Sequence, residues 1–205
     1  MVKSCSTVSL RDIARFGGPS TARAQAAVFS GRRMSQVEIC HDIVVLTIRA
    51  AHSDDRDAIW AILESIIRAG DTYCLPPDMV REEAMDYWFS GTHEVFVADD
   101  DGPVIGTYFL RRNQTGGGSH VANCGYMTAP AASGRGVARA MCLDSLKQAK
   151  SRGFRSMQFN FVVSTNDRAV RLWESCGFTI VGSLPEAFLH PAMGYVEAYV
   201  MYRVL

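Results

Sequence analysis

From residue 44 onward the chain alternates between short apolar runs and one-sided amphipathic stretches, separated by regular punctuation. Residues 44–50 (VVLTIRA) form a β-branched run, which predicts a strand. Asp54 or Asp55 then caps a helix that runs to about Ala69 and stops at Gly70. Its apolar residues Ile59, Ile62, Leu63, Ile66 and Ile67 recur at helical spacing. Pro76-Pro77 interrupts the chain. Asp78 is expected to cap a second, short helix over residues 80–89, with Met85, Trp88 and Phe89 on one side. Residues 94–98 and 104–111 read as a hairpin around Asp99-Asp100-Asp101-Gly102, a turn signal. Residues 113–119 (NQTGGGS) read as a flexible loop and residues 121–128 as the next strand.

A long helix follows over residues 136–152. Val137, Ala138, Met141, Cys142, Ser145, Leu146 and Ala149 make an apolar-to-small stripe, and Arg139, Asp144, Lys147, Gln148 and Lys150 fall on the polar face. Gly153 ends it and residues 156–163 form a strand. Asn166 caps a helix with Ala169, Leu172, Trp173 and Cys176 on one face and Gly177 just past its end. Residues 178–181 and 195–203 close the pattern as strands. The order β-α-α-β-β-β-α-β-α-β-β predicts an α/β fold, a mixed and partly parallel sheet flanked by helices. The 205 residues suit one domain, placed at 43–205. Residues 1–42 are expected to be a basic, disordered N-terminal extension. The Ser-rich, acid-poor residues 1–33 resemble a transit peptide in composition, or else a tail ahead of a start at Met34.

Charge sharpens this layout. The whole chain is neutral, which argues against a general nucleic-acid binder. Residues 1–33 nevertheless carry six basic groups and one acid, so residues 34–205 are net −5. Within that body, residues 38–101 hold 15 acids against four arginines, and residues 111–171 hold ten basic groups against Asp144 and Asp167. The basic half suggests a local anionic ligand. No run of 18 apolar residues occurs, so no membrane partner is expected. The six cysteines make no CxxC and the five histidines no HxxxH, so no metal is expected. Scattered free thiols fit a reducing, cytoplasmic compartment.

Between the strand at 121–128 and the long helix stands Thr128-Ala129-Pro130-Ala131-Ala132-Ser133-Gly134-Arg135-Gly136-Val137-Ala138. Backbone N–H groups at a helix N-terminus are free to bind phosphate. Glycines at 134 and 136 let the backbone approach an anion, and Arg135 and Arg139 add charge. A tight turn alone would also use those glycines. It is not the dinucleotide GxGxxG motif, since position 139 is Arg.

This turn, followed at the right spacing by Arg152-Gly153-Phe154 and by Asn166-Asp167-Arg168-Ala169-Val170-Arg171-Leu172-Trp173-Glu174-Ser175-Cys176-Gly177-Phe178, resembles the GCN5-related N-acetyltransferase (GNAT) family over about residues 44–203. The resemblance implies the GNAT fold and acetyl-CoA as co-substrate. It implies that the strand residues Tyr126, Met127 and Thr128 bond the pantetheine, that the loop N–H groups of Ser133, Gly134, Arg135, Gly136, Val137 and Ala138 hold the pyrophosphate, and that Asn166 contacts the cofactor or the substrate side; Arg139, by its charge beside the turn, is also expected to bind the cofactor. It also suggests a homodimer built on the C-terminal strands. Two positions depart from the family. Ser133 stands where Arg or Gln is usual. Trp173 stands where a general-acid Tyr is frequent, and an indole N–H does not act as an acid near neutral pH.

Four further segments are similar to the yeast-type acetyltransferases that detoxify the proline analogue azetidine-2-carboxylate, and to their bacterial relatives. They are Gly70-Asp71-Thr72-Tyr73, Asp86-Tyr87-Trp88-Phe89, Ser119-His120-Val121-Ala122-Asn123-Cys124-Gly125-Tyr126 and Phe159-Asn160-Phe161-Val162-Val163-Ser164-Thr165-Asn166. That similarity implies substrate binding and oxyanion support by Asn123, Asn160 and Asn166. Tyr73 and Trp88 fall in the region that forms the acceptor wall in the family. Each residue also has a plainer reading. Asn123 with Gly125 fits a β-bulge, Asn160 a solvated strand face, and Asn166 an ordinary N-cap. Tyr73, Trp88 and Trp173 also suit core packing. The resulting expectation is acetyl transfer to a small amine, an amino acid or an analogue, by direct attack in a ternary complex. A protein or peptide acceptor, or a non-catalytic acyl-CoA-binding module, remain alternatives. The acid-rich residues 38–101 are expected to flank the acceptor side and favour a cationic amine.

Overall fold

In a computed structural model, residues 46–205 and the two-residue strand Ser6–Thr7 are described. Apart from that strand, the extension expected over residues 1–42 lies outside the described residues. We number Ser6–Thr7 as β1 and Leu46–Ala50 as β2, followed by helices α1 (Arg56–Ala69) and α2 (Arg81–Trp88). Strands β3 (Glu94–Asp100), β4 (Val104–Arg112) and β5 (Val121–Thr128) form a meander. Then come α3 (Val137–Ser151), β6 (Ser156–Val163), α4 (Asp167–Ser175), β7 (Thr179–His190) and β8 (Gly194–Val204). One sheet carries all the strands in the order β1-β2-β3-β4-β5-β6-β8-β7. Every neighbouring pair is antiparallel except β5–β6.

Helices cover both faces of the sheet. On one face Ile59, Ile62, Leu63 and Ile67 of α1 meet Ala84, Met85 and Trp88 of α2 over Val97, Phe109 and Met127. On the other, Val137, Met141, Cys142, Leu146 and Ala149 of α3 and Trp173 of α4 pack on Phe96, Tyr108, Leu110, Met157 and Phe159. Neighbouring β4 residues thus serve opposite cores, as the period of two requires. Gly70 ends α1 in the left-handed conformation that glycine tolerates, and its N–H returns to the Ile66 and Ile67 carbonyls.

Three expectations are corrected by packing. Asp78 does not cap α2; the N-cap position is Val80, with no side-chain bond to the helix. Asp144, expected on the polar face of α3, is fully buried. Its carboxylate accepts the Tyr108 hydroxyl at 2.6 Å and faces the Gln148 amide, and burial raises its pKa above the ordinary carboxylate value. β7 spans twelve residues rather than the four expected at 178–181. Gly182 and Pro185 read as breakers, yet register shifts at Ile180/Gly182 and Leu184/Phe188 absorb the irregularity. β7 is an edge strand, where a proline breaks no ladder on its outer side.

Candidate functional site

The parallel pair at the centre of the sheet holds together for only two residues. Val121 pairs with Ser156 and Ala122 with Met157, after which the strands part. A register shift between Phe159 and Val162 bends β6 while it stays paired to β8. β5 stays on β4 through Thr128. The Ala129 N–H donates to the Ile105 carbonyl at 2.9 Å, so strand alternation turns the backbones of Asn123, Gly125 and Met127 toward β4. Cys124, Tyr126 and Thr128 turn theirs into the fork. The Tyr126 carbonyl accepts the Tyr73 hydroxyl at 2.9 Å. A cleft of about 900 Å³ runs through this fork.

At one end of the cleft the chain leaves β5 and enters α3 through Ser133, Gly134, Arg135 and Gly136. Gly134 and Gly136 adopt φ of 81° and 80°, so the glycines are required by the backbone conformation. The backbone N–H groups of Gly134, Gly136, Val137, Ala138 and Arg139 have no acceptor among the described residues. Such a fan at a helix N-terminus binds phosphate oxygens. Arg139 lines the same end and is held by its Nη1 bond to Ser175 Oγ at 2.7 Å. Arg168, which the sequence reading did not single out, also borders the cleft, from the first turn of α4.

A polar chain ties β4, β5 and β6 together where the fork opens. Arg111 Nε donates to Asn123 Oδ1 at 3.2 Å, and Asn123 Nδ2 donates to the Gln158 carbonyl at 2.9 Å. Gln158 Nε2 donates to Asn160 Oδ1 at 2.8 Å, and Asn160 Nδ2 to Asn113 Oδ1 at 2.7 Å. Asn123 therefore bridges the splitting strands, and no β-bulge is present there, since the β4–β5 register is unbroken. Gly125 has a packing reason instead. A Cβ would lie 2.6 Å from the Phe109 ring and 3.2 Å from the Tyr73 hydroxyl. Asn166 caps α4 by accepting the Ala169 N–H at 3.2 Å, while its Nδ2 has no partner among the described residues.

Of the residues singled out in the sequence, Tyr73, Asn123, Tyr126, Met127, Thr128, Ser133, Gly134, Gly136, Val137, Ala138, Arg139, Asn160 and Asn166 border the cleft. Three assignments are corrected. Met127 borders it, but its backbone turns to β4 and its side chain is buried in the core. Arg135 pairs with Asp100 and its N–H donates to Ala132, so it faces away. Trp88 has no solvent exposure and donates Nε1–H to Thr107 Oγ1 at 3.0 Å under α2. Arg111, Asn113 and Gln158 were missed. The sign was available for Arg111, since a hairpin over 104–128 sets it opposite Asn123.

The charge split also resolves differently. Among the described residues Asp71 is the acid that borders the cleft, alongside Arg111, Arg139 and Arg168. Asp55 and Asp99 pair with Arg49, Asp57 with Arg81, Glu94 with Arg152 and Asp100 with Arg135. Five acids of the acid-rich half are therefore held in ion pairs away from the cleft.

Burial pushes the Cys124 thiol up to about 12 and raises the Cys74 thiol and the Tyr73, Tyr87 and Tyr126 hydroxyls. The thiols in the cleft are protonated at neutral pH and are poor nucleophiles. The Cys176 thiol is lowered by its hydrogen bond from Cys142, but it does not border the cleft. Trp173 packs against Tyr126 and Phe159, with ring centroids 4.9 and 5.1 Å away. Among the described residues no group of three His, Cys, Asp or Glu side chains could hold a metal.

A forked sheet leading to a glycine-rich phosphate turn defines a CoA-dependent acyl-transfer enzyme of the N-acetyltransferase class. Residues 60–178 match the acetyltransferase (GNAT) family. N-acetyltransferase aca1 of Schizosaccharomyces pombe is 31% identical over 151 residues, 65% of this chain and 72% of that protein. A GCN5-related N-acetyltransferase from Kribbella flavida superposes with a TM-score of 0.75 at 45% identity, covering 78% of this chain and 98% of the other. A phosphinothricin acetyltransferase from Sinorhizobium meliloti, solved with acetyl-CoA, shares the fold at 19% identity with a TM-score of 0.69, covering 78% and 88%. The chain belongs to the GNAT family and is an acetyl-CoA-dependent N-acetyltransferase.

Proposed function

We propose that this enzyme acetylates the amine of a small molecule, an amino acid or amino-acid analogue, by direct attack on acetyl-CoA in a ternary complex. The forked β5–β6 pair carries the proposal. The outward backbone groups of Cys124, Tyr126 and Thr128 suit the amides of an extended pantetheine chain. The free N–H groups of Gly134, Gly136, Val137, Ala138 and Arg139 then meet the pyrophosphate, with Ser133 and the Arg139 side chain beside them. Asn123 supports the developing oxyanion. Asn160 fixes the polar chain, and Asn166 borders the same cleft with its Nδ2 unpartnered among the described residues. A cleft of about 900 Å³ must take donor and acceptor together, which leaves space for a small acceptor, since single-ligand pockets span roughly 300–1,000 Å³. With the cleft thiols held protonated, attack by the free amine without an acyl-enzyme is the simplest route. The test is thiol release from acetyl-CoA across free amino acids, polyamines and peptides. Free amino acids should be the best acceptors; a preference for peptides overturns the proposal.

The turn yields a second expectation. Gly136→Ala places a Cβ in open space but at φ of 80°, which costs an ordinary residue about 1–2 kcal/mol. Relief of that strain turns the N–H fan, so the KM for acetyl-CoA should rise about tenfold, the equivalent of 1.4 kcal/mol. Turnover at saturation should stay within about threefold, because the reacting end is untouched. Steady-state kinetics with varied acetyl-CoA checks both numbers.

The C-terminal hairpin supports a homodimer. Leu189, Met193 and Tyr195 are 62%, 63% and 69% exposed at its tip, beyond the rest of the sheet. An exposed apolar edge of this kind calls for a cover, and a second copy supplies the same edge. Sedimentation equilibrium should give twice the chain mass, and Leu189→Glu should return it to one.

A further inference from the structure

Resting on the reading of the acceptor as a small amino acid, we infer that Arg111 grips its carboxylate and so sets the acceptor specificity of the site. Arg111 lies on β4 directly opposite Asn123, with both side chains on one face of the sheet. Its Nε is committed to Asn123 Oδ1 at 3.2 Å. Its two Nη groups make no hydrogen bond, and the guanidinium makes no ion pair, among the described residues. It borders the cleft, is only partly exposed, and sits beside Tyr87 and His93, both of which feel its charge. A half-buried guanidinium without a counter-ion pays for its desolvation and gains from any anion that reaches it. The free edge of the fork matches the two oxygens of a carboxylate.

The position of Arg111 separates it from the phosphate end. Arg139 lies on the first turn of α3, among the N–H groups of the turn, and reaches Ser175 at the C-terminal end of α4. Arg111 is strand-borne, on the side of the fork walled by Tyr73, Tyr87 and Phe109. Because its Nε holds the amide that faces the thioester, a carboxylate on the Nη groups sits next to that amide. In an α-amino acid the amine is one carbon from the carboxylate, so the same grip delivers the nucleophile to the carbonyl. A longer spacing, as in a β- or γ-amino acid, carries the amine past it. Asp71 borders the cleft as well, so an acceptor bearing both charges meets both signs there.

The test compares each active amino acid with its own carboxamide, in wild type and in Arg111→Met. Wild type should favour the acid about tenfold or more in kcat/KM, as expected for a bidentate charged contact. In Arg111→Met the preference should fall to within twofold through the acceptor KM, and Arg111→Lys should restore part of it. Equal wild-type rates for acid and amide overturn the inference without any variant having to fold, and leave the small-amine reading standing. A loss in Arg111→Met that is the same for acid and amide also overturns it, since it marks Arg111 as a positioning residue for Asn123 only. Absence of thiol release with every amine overturns the small-amine reading and this inference with it.

Discussion

Asn123→Ala is expected to lower kcat by about 10²–10³, or roughly 3–4 kcal/mol, the usual cost of one oxyanion donor. The amide is fixed from two sides. Arg111 Nε holds Oδ1 at 3.2 Å, and one Nδ2 proton is spent on the Gln158 carbonyl at 2.9 Å. That leaves the second proton with a set direction at the mouth of the fork, on a residue only 7% exposed. A donor held in place before the reaction costs no reorganisation when charge develops on the thioester oxygen, and low solvent access strengthens it. The KM for acetyl-CoA should change by less than about threefold, because the phosphate turn and the outward strand edge are separate from this amide. Asn123→Asp keeps the Arg111 contact but replaces the donor with negative charge, and should lose at least as much. Steady-state thiol release measures both. A fall in kcat of less than tenfold for Asn123→Ala removes it from the oxyanion role.

The glycine stops and the Asn166 cap were readable because their causes are local. Gly70, Gly153 and Gly177 all carry φ between 63° and 86°, and Asn166 accepts the N–H three residues on. These depend on a few neighbouring residues, so spacing alone finds them. The core stripe of α1 was legible for the same reason. What escaped depends on partners far along the chain. Asp144 was placed on a polar face because its neighbours there are charged, but Tyr108, 36 positions away, draws it inside. The polar chain through Arg111, Asn113 and Gln158 exists only once β4, β5 and β6 are in register. The length of β7 was hidden by Gly182 and Pro185, whose effect depends on their lying on an edge with bulges to absorb them. The backbone of the glycine turn at residues 133–139 could be read almost residue by residue, because positive-φ glycines and a helix start define it. The polar chain at the mouth of the fork could not, because it is assembled from three strands and a loop.

Trp88 shows how that limit affects function. A Trp beside Tyr87 in an amphipathic segment looks the same whether it walls a substrate or fills a core. Here its ring meets Phe109 edge to face at 5.0 Å and Tyr73 at 6.5 Å, fully enclosed between α2 and the sheet. Trp88→Ala should therefore cost about 3–5 kcal/mol of stability, the range for a large aromatic removed from a packed interior. For a domain of this size that lowers Tm by roughly 6–20 °C. Trp88→Phe separates packing from substrate contact. It retains most of the buried area and removes the Nε1–H donated to Thr107 Oγ1. The Thr107 hydroxyl still donates to the Phe96 carbonyl, so no buried donor is orphaned and the loss should be about 1–1.5 kcal/mol. A residue in the core changes melting and leaves the kinetics alone. Below its lowered melting point Trp88→Phe should keep the acceptor KM within about twofold of wild type. Thermal melts paired with acceptor kinetics decide the matter. An acceptor KM raised tenfold with an unchanged Tm would return Trp88 to the substrate wall beside Tyr73.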